Sequence, residues 1–297
     1  MSLQPPGIKI IECPRDAMQG LHEYIPVSAK AEYINLLLKV GFDTIDFGSF
    51  VSPKAIPQLK DTAEVLSLLD LRGTKTKLLA IVANVRGGED ACRFDEISYL
   101  GFPFSVSETF QRRNTNSGIR ESLKTVEHLQ QLCVINDKKL VVYLSMAFGN
   151  PYGDEWNAGI VTGWALKLQQ MGIRTLSLAD TVGVAKPADI ADLFADLIPA
   201  LGDVELGAHL HCRPDDWEKK LDAAYSNGCR RFDSAIKGYG GCPMASDNLT
   251  GNLATENLIQ YLGKQGVSMS LDWVVLSEAM AASANVFERP GTIINEN

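Results

Sequence analysis

Two hydrophobic rhythms alternate along this chain. Short apolar runs, rich in β-branched residues, recur at 8–13, 43–47, 75–83, 97–106, 140–146, 174–180, 204–211 and 230–236. Continuous apolar runs bounded by turn formers read as strands covered on both faces. Between them, apolar residues fall three and four apart, the spacing that lays one apolar stripe along a helix. These helical segments cover 28–41, 61–70, a short stretch after Gly87, 119–136, 158–171, 186–201, 214–228 and 255–265. A last helix is expected at about 272–287 as an appendage. The punctuation agrees: Ser28 is a plausible N-cap, Gly41, Gly172 and Gly228 follow helix ends, and Pro187 opens another helix. Pro103 is expected to interrupt the fourth strand.

Strands that alternate with helices imply βαβ units and a parallel sheet. About eight such units in one chain of 297 residues predict a single (β/α)8 TIM barrel over 1–297, with an extra C-terminal helix. An open doubly wound sheet is the competing architecture. No G-x-G-x-x-G follows the first strand, so nothing favours its dinucleotide-binding form.

A hydrophobic fraction of 45% supports a sizeable core. The net charge of −8 and a pI of about 5.1 argue against a surface built for nucleic acid, which draws its affinity from Lys and Arg. Six cysteines without a C-x-x-C pair are no disulfide scaffold, so a reducing, cytoplasmic location is expected. No signal peptide and no membrane span are expected either.

The chemistry gathers at strand ends. In a barrel of this kind the site lies at the C-terminal ends of the strands and in the loops after them. Arg15 and Asp16 follow the first strand, Asp46 sits near the end of the second, and Asp180 and Thr181 follow the sixth. The stretch GAHLHC places His209 and His211 two apart, hence on one face of the seventh strand. KGYGGCP follows the eighth strand and carries Gly241 and Cys242, with Asn252 a little later. Asp16, His209, His211 and Asn252 form a mixed nitrogen and oxygen ligand set suited to Mg²⁺ or Mn²⁺, with Zn²⁺ the third option. Two unrelated core histidines are the plainer alternative. The glycines around Cys242 suggest a loop able to close over the site.

These motifs are recognisable together. The chain resembles the 3-hydroxy-3-methylglutaryl-CoA lyases, within a wider group of metal-dependent lyases and synthases on this barrel. The resemblance rests on PRD with Gln19, SFVSPK from Ser49, SETFQRRN from Ser107, GNPYG, ADTVGV, HLH, GYGGCP and GNLATE. It implies retro-Claisen cleavage of a 3-hydroxyacyl-CoA to acetyl-CoA and a keto acid. It places Asp16, His209, His211 and Asn252 on a divalent cation. Arg15 would stabilise the enolate oxygen, Cys242 would transfer a proton, His209 would serve both metal and proton, and Asp46 would join the catalytic set. Gln19, Ser49, Asp180, Thr181 and Gly241 would surround the substrate. An acyl-CoA as small-molecule partner and a homodimer are expected, with no nucleic acid and no membrane partner. Asp46 stands where those lyases carry a glutamate, and Cys212 where an acid follows the second histidine. A Claisen-condensing synthase, an aldolase acting on a hydroxy acid without CoA, and a non-catalytic binding barrel are the rival readings.

Overall fold

The computed structural model describes residues 7–241 and 250–287. Its elements run in the order β1 (Lys9–Glu12), α1 (Pro14–Gln19), α2 (Val27–Val40), β2 (Thr44–Ser49), α3 (Thr62–Ser67), β3 (Lys77–Ile81), α4 (Val85–Cys92) and β4 (Ile97–Ser105). They continue with α5 (Glu108–Thr115), α6 (Ile119–Ile135), β5 (Lys139–Ser145), α7 (Ala158–Gln170), β6 (Thr175–Asp180), α8 (Pro187–Leu201) and β7 (Glu205–Leu210). The last are α9 (Trp217–Ser226), β8 (Arg231–Ser234), α10 (Thr255–Lys264) and α11 (Trp273–Phe287). The strands pair in chain order and close, β8 returning to β1, into a parallel (β/α)8 barrel.

The core has two parts, as a barrel requires. Inside, Leu79, Tyr99, Val141 and Tyr143 pack together with Ile81. Outside, a larger buried cluster fills the space between strands and helices, including Phe42, Phe102, Phe104 and Phe194. Gly101 serves the inner cluster by having no side chain: a Cβ there would lie 2.5 Å from Ile81 Cδ1 and 3.1 Å from both Leu79 and Tyr143. The appended helix is held by packing on α2, where Tyr33 and Phe287 meet edge to face at 5.6 Å.

Two local expectations are corrected. α2 begins at Val27 with Pro26 at its cap, so Ser28 is already helical. β4 runs through Pro103, which lies in register with Tyr143 of β5. The PRD stretch, expected only to follow the first strand, forms a short helix: Pro14 sits in the first turn of α1, where its missing N–H costs no helical bond. That short helix, and α5 after β4, have too few turns to show a periodic stripe. Side-chain caps not read from the sequence stand elsewhere: Asn84, Ser107 and Asn157 accept backbone N–H groups at the starts of α4, α5 and α7. No described helix is long and apolar enough to cross a membrane.

The barrel interior generates one prediction. Gly101→Val should destabilise the fold by about 1–3 kcal/mol through overpacking. It should lower the urea midpoint with little change in slope; a midpoint equal to wild type would show that the inner cluster yields freely.

Candidate active site

Helix α1 builds the floor of the site within one and a half turns. Residues three and four apart share a helix face, and Gln19 accordingly meets both Arg15 and Asp16. Arg15 Nη1 donates to Gln19 Oε1 at 2.9 Å, and Gln19 Nε2 donates to Asp16 Oδ1 at 2.6 Å. Arg15 is then gripped between two carboxylates. Its Nε lies 3.2 and 3.0 Å from the two oxygens of Asp46, its Nη2 lies 2.5 Å from Asp46 Oδ2, and its Nη1 lies 2.8 Å from Asp16 Oδ1. Of the five N–H groups on a guanidinium, these contacts leave one on Nη2 for a substrate oxygen. Burial works against the charge of Arg15, but Asp46 and Asp16 outweigh it and keep the group protonated. Burial also opposes the charge of Asp16, yet Arg15 and the two histidines outweigh it and lower Asp16 to about 2.

The two histidines converge as strand alternation requires. His209 Nδ1 faces Asp233 Oδ2 of β8 at 3.1 Å, and His211 Nδ1 faces the Thr250 carbonyl at 2.9 Å. A carbonyl only accepts, and an ionised carboxylate only accepts, so both Nδ1 atoms carry the proton. Each ring therefore turns its Nε2 toward the other, and these atoms lie 3.2 Å apart. Two lone pairs at that distance repel unless a positive charge sits between them. Asp16 lies beside them: one ligand atom each from Asp16, His209 and His211 fall within 4.8 Å of one another. The residues thus fit a divalent cation, with each imidazole oriented by a hydrogen bond on its far side.

Asn252 reaches this cluster through the chain that follows β8. His211 and Asn252 form an antiparallel bridge, with Cys212 N donating to Gly251 O and Leu253 N donating to Leu210 O. Asn252 Nδ2 donates to Asp16 Oδ2 at 2.7 Å and to Tyr239 O at 2.9 Å. Its Oδ1 is the atom left to coordinate. Gly240 allows this approach: at φ +103° a Cβ would fall 2.7 Å from Asn252 Nδ2 and 2.8 Å from the Asp16 carbonyl. The glycines of GYGG therefore permit close packing on the ligand cluster as well as turning.

A cavity of about 350 Å³ opens above the cluster. Arg15, Asp16, Gln19, Thr181, His209 and His211 face it, together with Tyr143, Ser145 and Phe110 and with Arg113 and Asn114 of α5. A second cavity of about 420 Å³ shares Val51, Ser52 and Asn84 with it and carries Lys60 and Arg86.

The expected residues divide accordingly. Asp46 lies behind Arg15 rather than on the cavity wall, and Ser49 lines the second cavity. Gly241 is buried beside Gly240 and off the wall. Asp180, expected beside the substrate, is turned outward because Ala179 of β6 and Thr181 just after it take the inward positions. Its carboxylate instead accepts from Val184 N, Ala185 N and Lys220 Nζ, while Lys220 also donates to the carbonyls of Gly183 and His211 at 3.0 Å. Cys242 lies outside the described residues. Asp233 and Lys220 were not singled out from the sequence. An acid one residue before the end of β8 is the available signal for Asp233; nothing local marks Lys220.

Comparison with known proteins identifies the family. The family model described as HMGL-like matches residues 8–283. The mitochondrial hydroxymethylglutaryl-CoA lyase of Mus musculus is 32% identical over 283 residues, covering 94% of this chain and 85% of the relative. The 3-hydroxy-3-isohexenylglutaryl-CoA/hydroxy-methylglutaryl-CoA lyase of Pseudomonas aeruginosa is 30% identical over 276 residues, covering 93% and 91%. A solved HMG-CoA lyase from Acinetobacter baumannii, in complex with coenzyme A and 3-methylmalate, superposes with a TM-score of 0.88 at 27% identity, covering 96% of this chain and 93% of that one.

The paired rings predict how a cation competes with protons. Burial lowers the basicity of His209, but the Asp233 hydrogen bond and charge, with Asp16, outweigh it and raise its pKa above 6.5. Burial, then the neighbouring His209 charge, lowers His211 to about 4. In the metal-free protein the bridging proton thus belongs to His209, and a cation must displace it. Mn²⁺ affinity, read by electron paramagnetic resonance of the free ion, should fall about tenfold per pH unit as pH drops below the His209 pKa. A flat affinity across that window would show that His209 is not a ligand.

Proposed function

The chain belongs to the HMGL-like family and is a carbon–carbon lyase; from that premise we propose that it cleaves a 3-hydroxyacyl-CoA by a divalent-metal-dependent retro-Claisen reaction, giving acetyl-CoA and a keto acid. The observation that carries the reading is the meeting of His209 and His211 Nε2 at 3.2 Å beside Asp16, with Arg15 at the same cavity floor. 3-Hydroxy-3-methylglutaryl-CoA is the first substrate to test, with acetoacetate as the product.

Asp16, His209, His211 and Asn252 would hold the cation, Mg²⁺ or Mn²⁺ by the oxygen and nitrogen character of the set. Bound there, a divalent cation would polarise the substrate's oxygens and acidify its tertiary hydroxyl. The protein's own groups account for the rest. In the reaction the hydroxyl proton leaves, the C2–C3 bond breaks, and C3 becomes a carbonyl. The bond's electron pair passes into the thioester enolate, which is then protonated at C2. Arg15 offers its remaining Nη2 hydrogen where the enolate charge grows, and its position between Asp16 and Asp46 spares it reorganisation at that moment. His209, with Asp233 behind its ring, is assigned the hydroxyl proton, and Cys242 the proton delivered to C2. The cations Lys60 and Arg86 of the second cavity suit the phosphates of the CoA arm. The relative solved with coenzyme A and 3-methylmalate supports an acyl-CoA over a free hydroxy acid.

The five described cysteines are all free, which supports a reducing, cytoplasmic setting. A homodimer remains our expectation, to be read by light scattering.

Incubation with Mg²⁺ and 3-hydroxy-3-methylglutaryl-CoA should release acetoacetate, and chelation should abolish it. Release of no keto acid from this or a longer-chain 3-hydroxyacyl-CoA would sink the reading. Arg15→Met should lower kcat by about 10²–10³ with little change in KM, because the lost donor acts on charge that develops in the transition state. Cys242→Ser should keep the fold but lose most turnover, since a hydroxyl is a far weaker acid than a thiol; full turnover would remove Cys242 from the mechanism.

A further inference from the structure

Beneath the cluster, the barrel interior carries an arginine that packing alone does not explain. Arg231 of β8 is completely buried. Its position in the strand has the same parity as Asp233, so both side chains point inward. Across the sheet, Arg231 lies in register with Gly207, and His209 with Asp233. Gly207 makes the room: a Cβ there would fall 3.0 Å from Arg231 Cδ and 3.1 Å from its Cγ. The arginine thus stands one layer below the Asp233–His209 pair, on the same wall of the barrel.

None of the three guanidinium nitrogens has a hydrogen-bond partner among the described residues. Glu205 Oε2 is 3.5 Å from Nη1, at the lower rim, and Tyr99 presents its ring with the guanidinium 6.0 Å from its centroid. The same holds for three other buried polar atoms of the interior. Tyr143 OH of β5, Ser177 Oγ of β6 and Asp233 Oδ1 have no partner either. Tyr143 and Ser177 share the inward parity of Ser145 and Ala179, which line the cavity above. Tyr143 also stands edge-on to the His209 ring at 5.8 Å. Donors and acceptors are both represented, from three strands. Buried polar groups of this kind are satisfied by protein or by ordered water, and water needs two to four such partners. An anion would meet the Asp233 carboxylate, so it does not suit the set.

We propose that the barrel encloses a hydrated chamber under the active site, in which ordered water joins the Arg231 guanidinium to Asp233 Oδ1, with Tyr143 and Ser177 on its walls, and that Arg231 is thereby a positioning residue for His209. The consequence follows from the two oxygens of Asp233. Oδ2 accepts from His209 Nδ1, and Oδ1 is free to let the carboxylate turn. Water bridged to a fixed cation stops that rotation. It holds the imidazole at the angle that aims Nε2 at His211 and Asp16. Partners behind a ligating histidine commonly set metal affinity by tenfold to a hundredfold.

The metal arm of this inference rests on the reading that Asp16, His209 and His211 hold a cation. The test therefore measures the chamber and the cation separately, with no substrate present. A high-resolution crystal structure should show ordered water between Arg231 and Asp233. Arg231→Met removes a buried charge for a side chain of similar length, and such replacements are often neutral or stabilising. Its melting temperature should equal or exceed wild type, while its Mn²⁺ affinity falls about tenfold to a hundredfold. Arg231→Lys, which keeps the charge and a donor, should recover most of that affinity; it also stands in should the Met variant fail to fold. Density in which the guanidinium bonds directly to protein, with no water beside it, overturns the chamber. A stable Arg231→Met that binds Mn²⁺ like wild type overturns the positioning role. Wild-type protein that binds no Mn²⁺ at all overturns the metal reading instead, and the chamber is then judged by the density.

Discussion

Two neutral imidazoles cannot hold their lone pairs 3.2 Å apart without positive charge between them. In this barrel the arrangement is imposed from behind. Asp233 claims the Nδ1 proton of His209, and the Thr250 carbonyl claims that of His211. Neither ring can turn away without giving up a buried hydrogen bond. The repulsion is therefore built into the fold and is relieved by a proton or a metal ion. Asp16 supplies the negative charge that draws either one, and Arg15 keeps Asp16 ionised while remaining in contact with the cavity. The histidine pair and Arg15 are parts of one assembly, because both meet Asp16.

Much of the surrounding structure serves to hold this assembly still. Lys220 reaches from α9 into the barrel end, tying Asp180, the Gly183 carbonyl and the His211 carbonyl to one buried ammonium. Asp180 in turn fixes the turn after β6 through two backbone N–H groups. On the other side, Glu12 at the end of β1 accepts from Ile236 N and from Thr255 Oγ1. Those two residues flank the segment that brings Asn252 to His211. Burial lifts the Glu12 carboxyl to about 8 even with these donors. One carboxyl thereby ties both ends of that segment to β1, through a backbone N–H and a side-chain hydroxyl.

The cavity above has a division of labour. Its floor is polar and preorganised, while Ile81, Pro103, Phe110 and Ala179 give apolar wall. Such a wall excludes water and strengthens the electrostatic contacts beneath it. The second cavity continues the first past Val51 and Ser52, where Lys60 and Arg86 change its character to cationic. The interior below the floor is the exception to an otherwise apolar barrel: the packed layer of Leu79, Tyr99, Val141 and Tyr143 borders Arg231.

What the sequence determined by itself was whatever repeats locally. The alternation of apolar runs and helical stripes specified eight βα units, and a closed parallel barrel follows from packing rules. Strand parity alone put His209 and His211 on one face, and the barrel rule put Arg15 and Asp16 at the same end. The short helix α1 was missed because one and a half turns show no periodic stripe, yet that helix is what brings Gln19 back onto Arg15 and Asp16. Tertiary structure decided the contacts between remote positions. Asn252 meets Asp16 across 236 residues of sequence through an antiparallel bridge beyond the strands. Asp233 stands behind His209 only because β7 and β8 pair in that register, and Asp180 faces outward because its neighbours Ala179 and Thr181 face inward. A periodic pattern encodes which face of an element is buried; it does not encode the register between elements, and register is what sets one side chain within hydrogen-bonding distance of another.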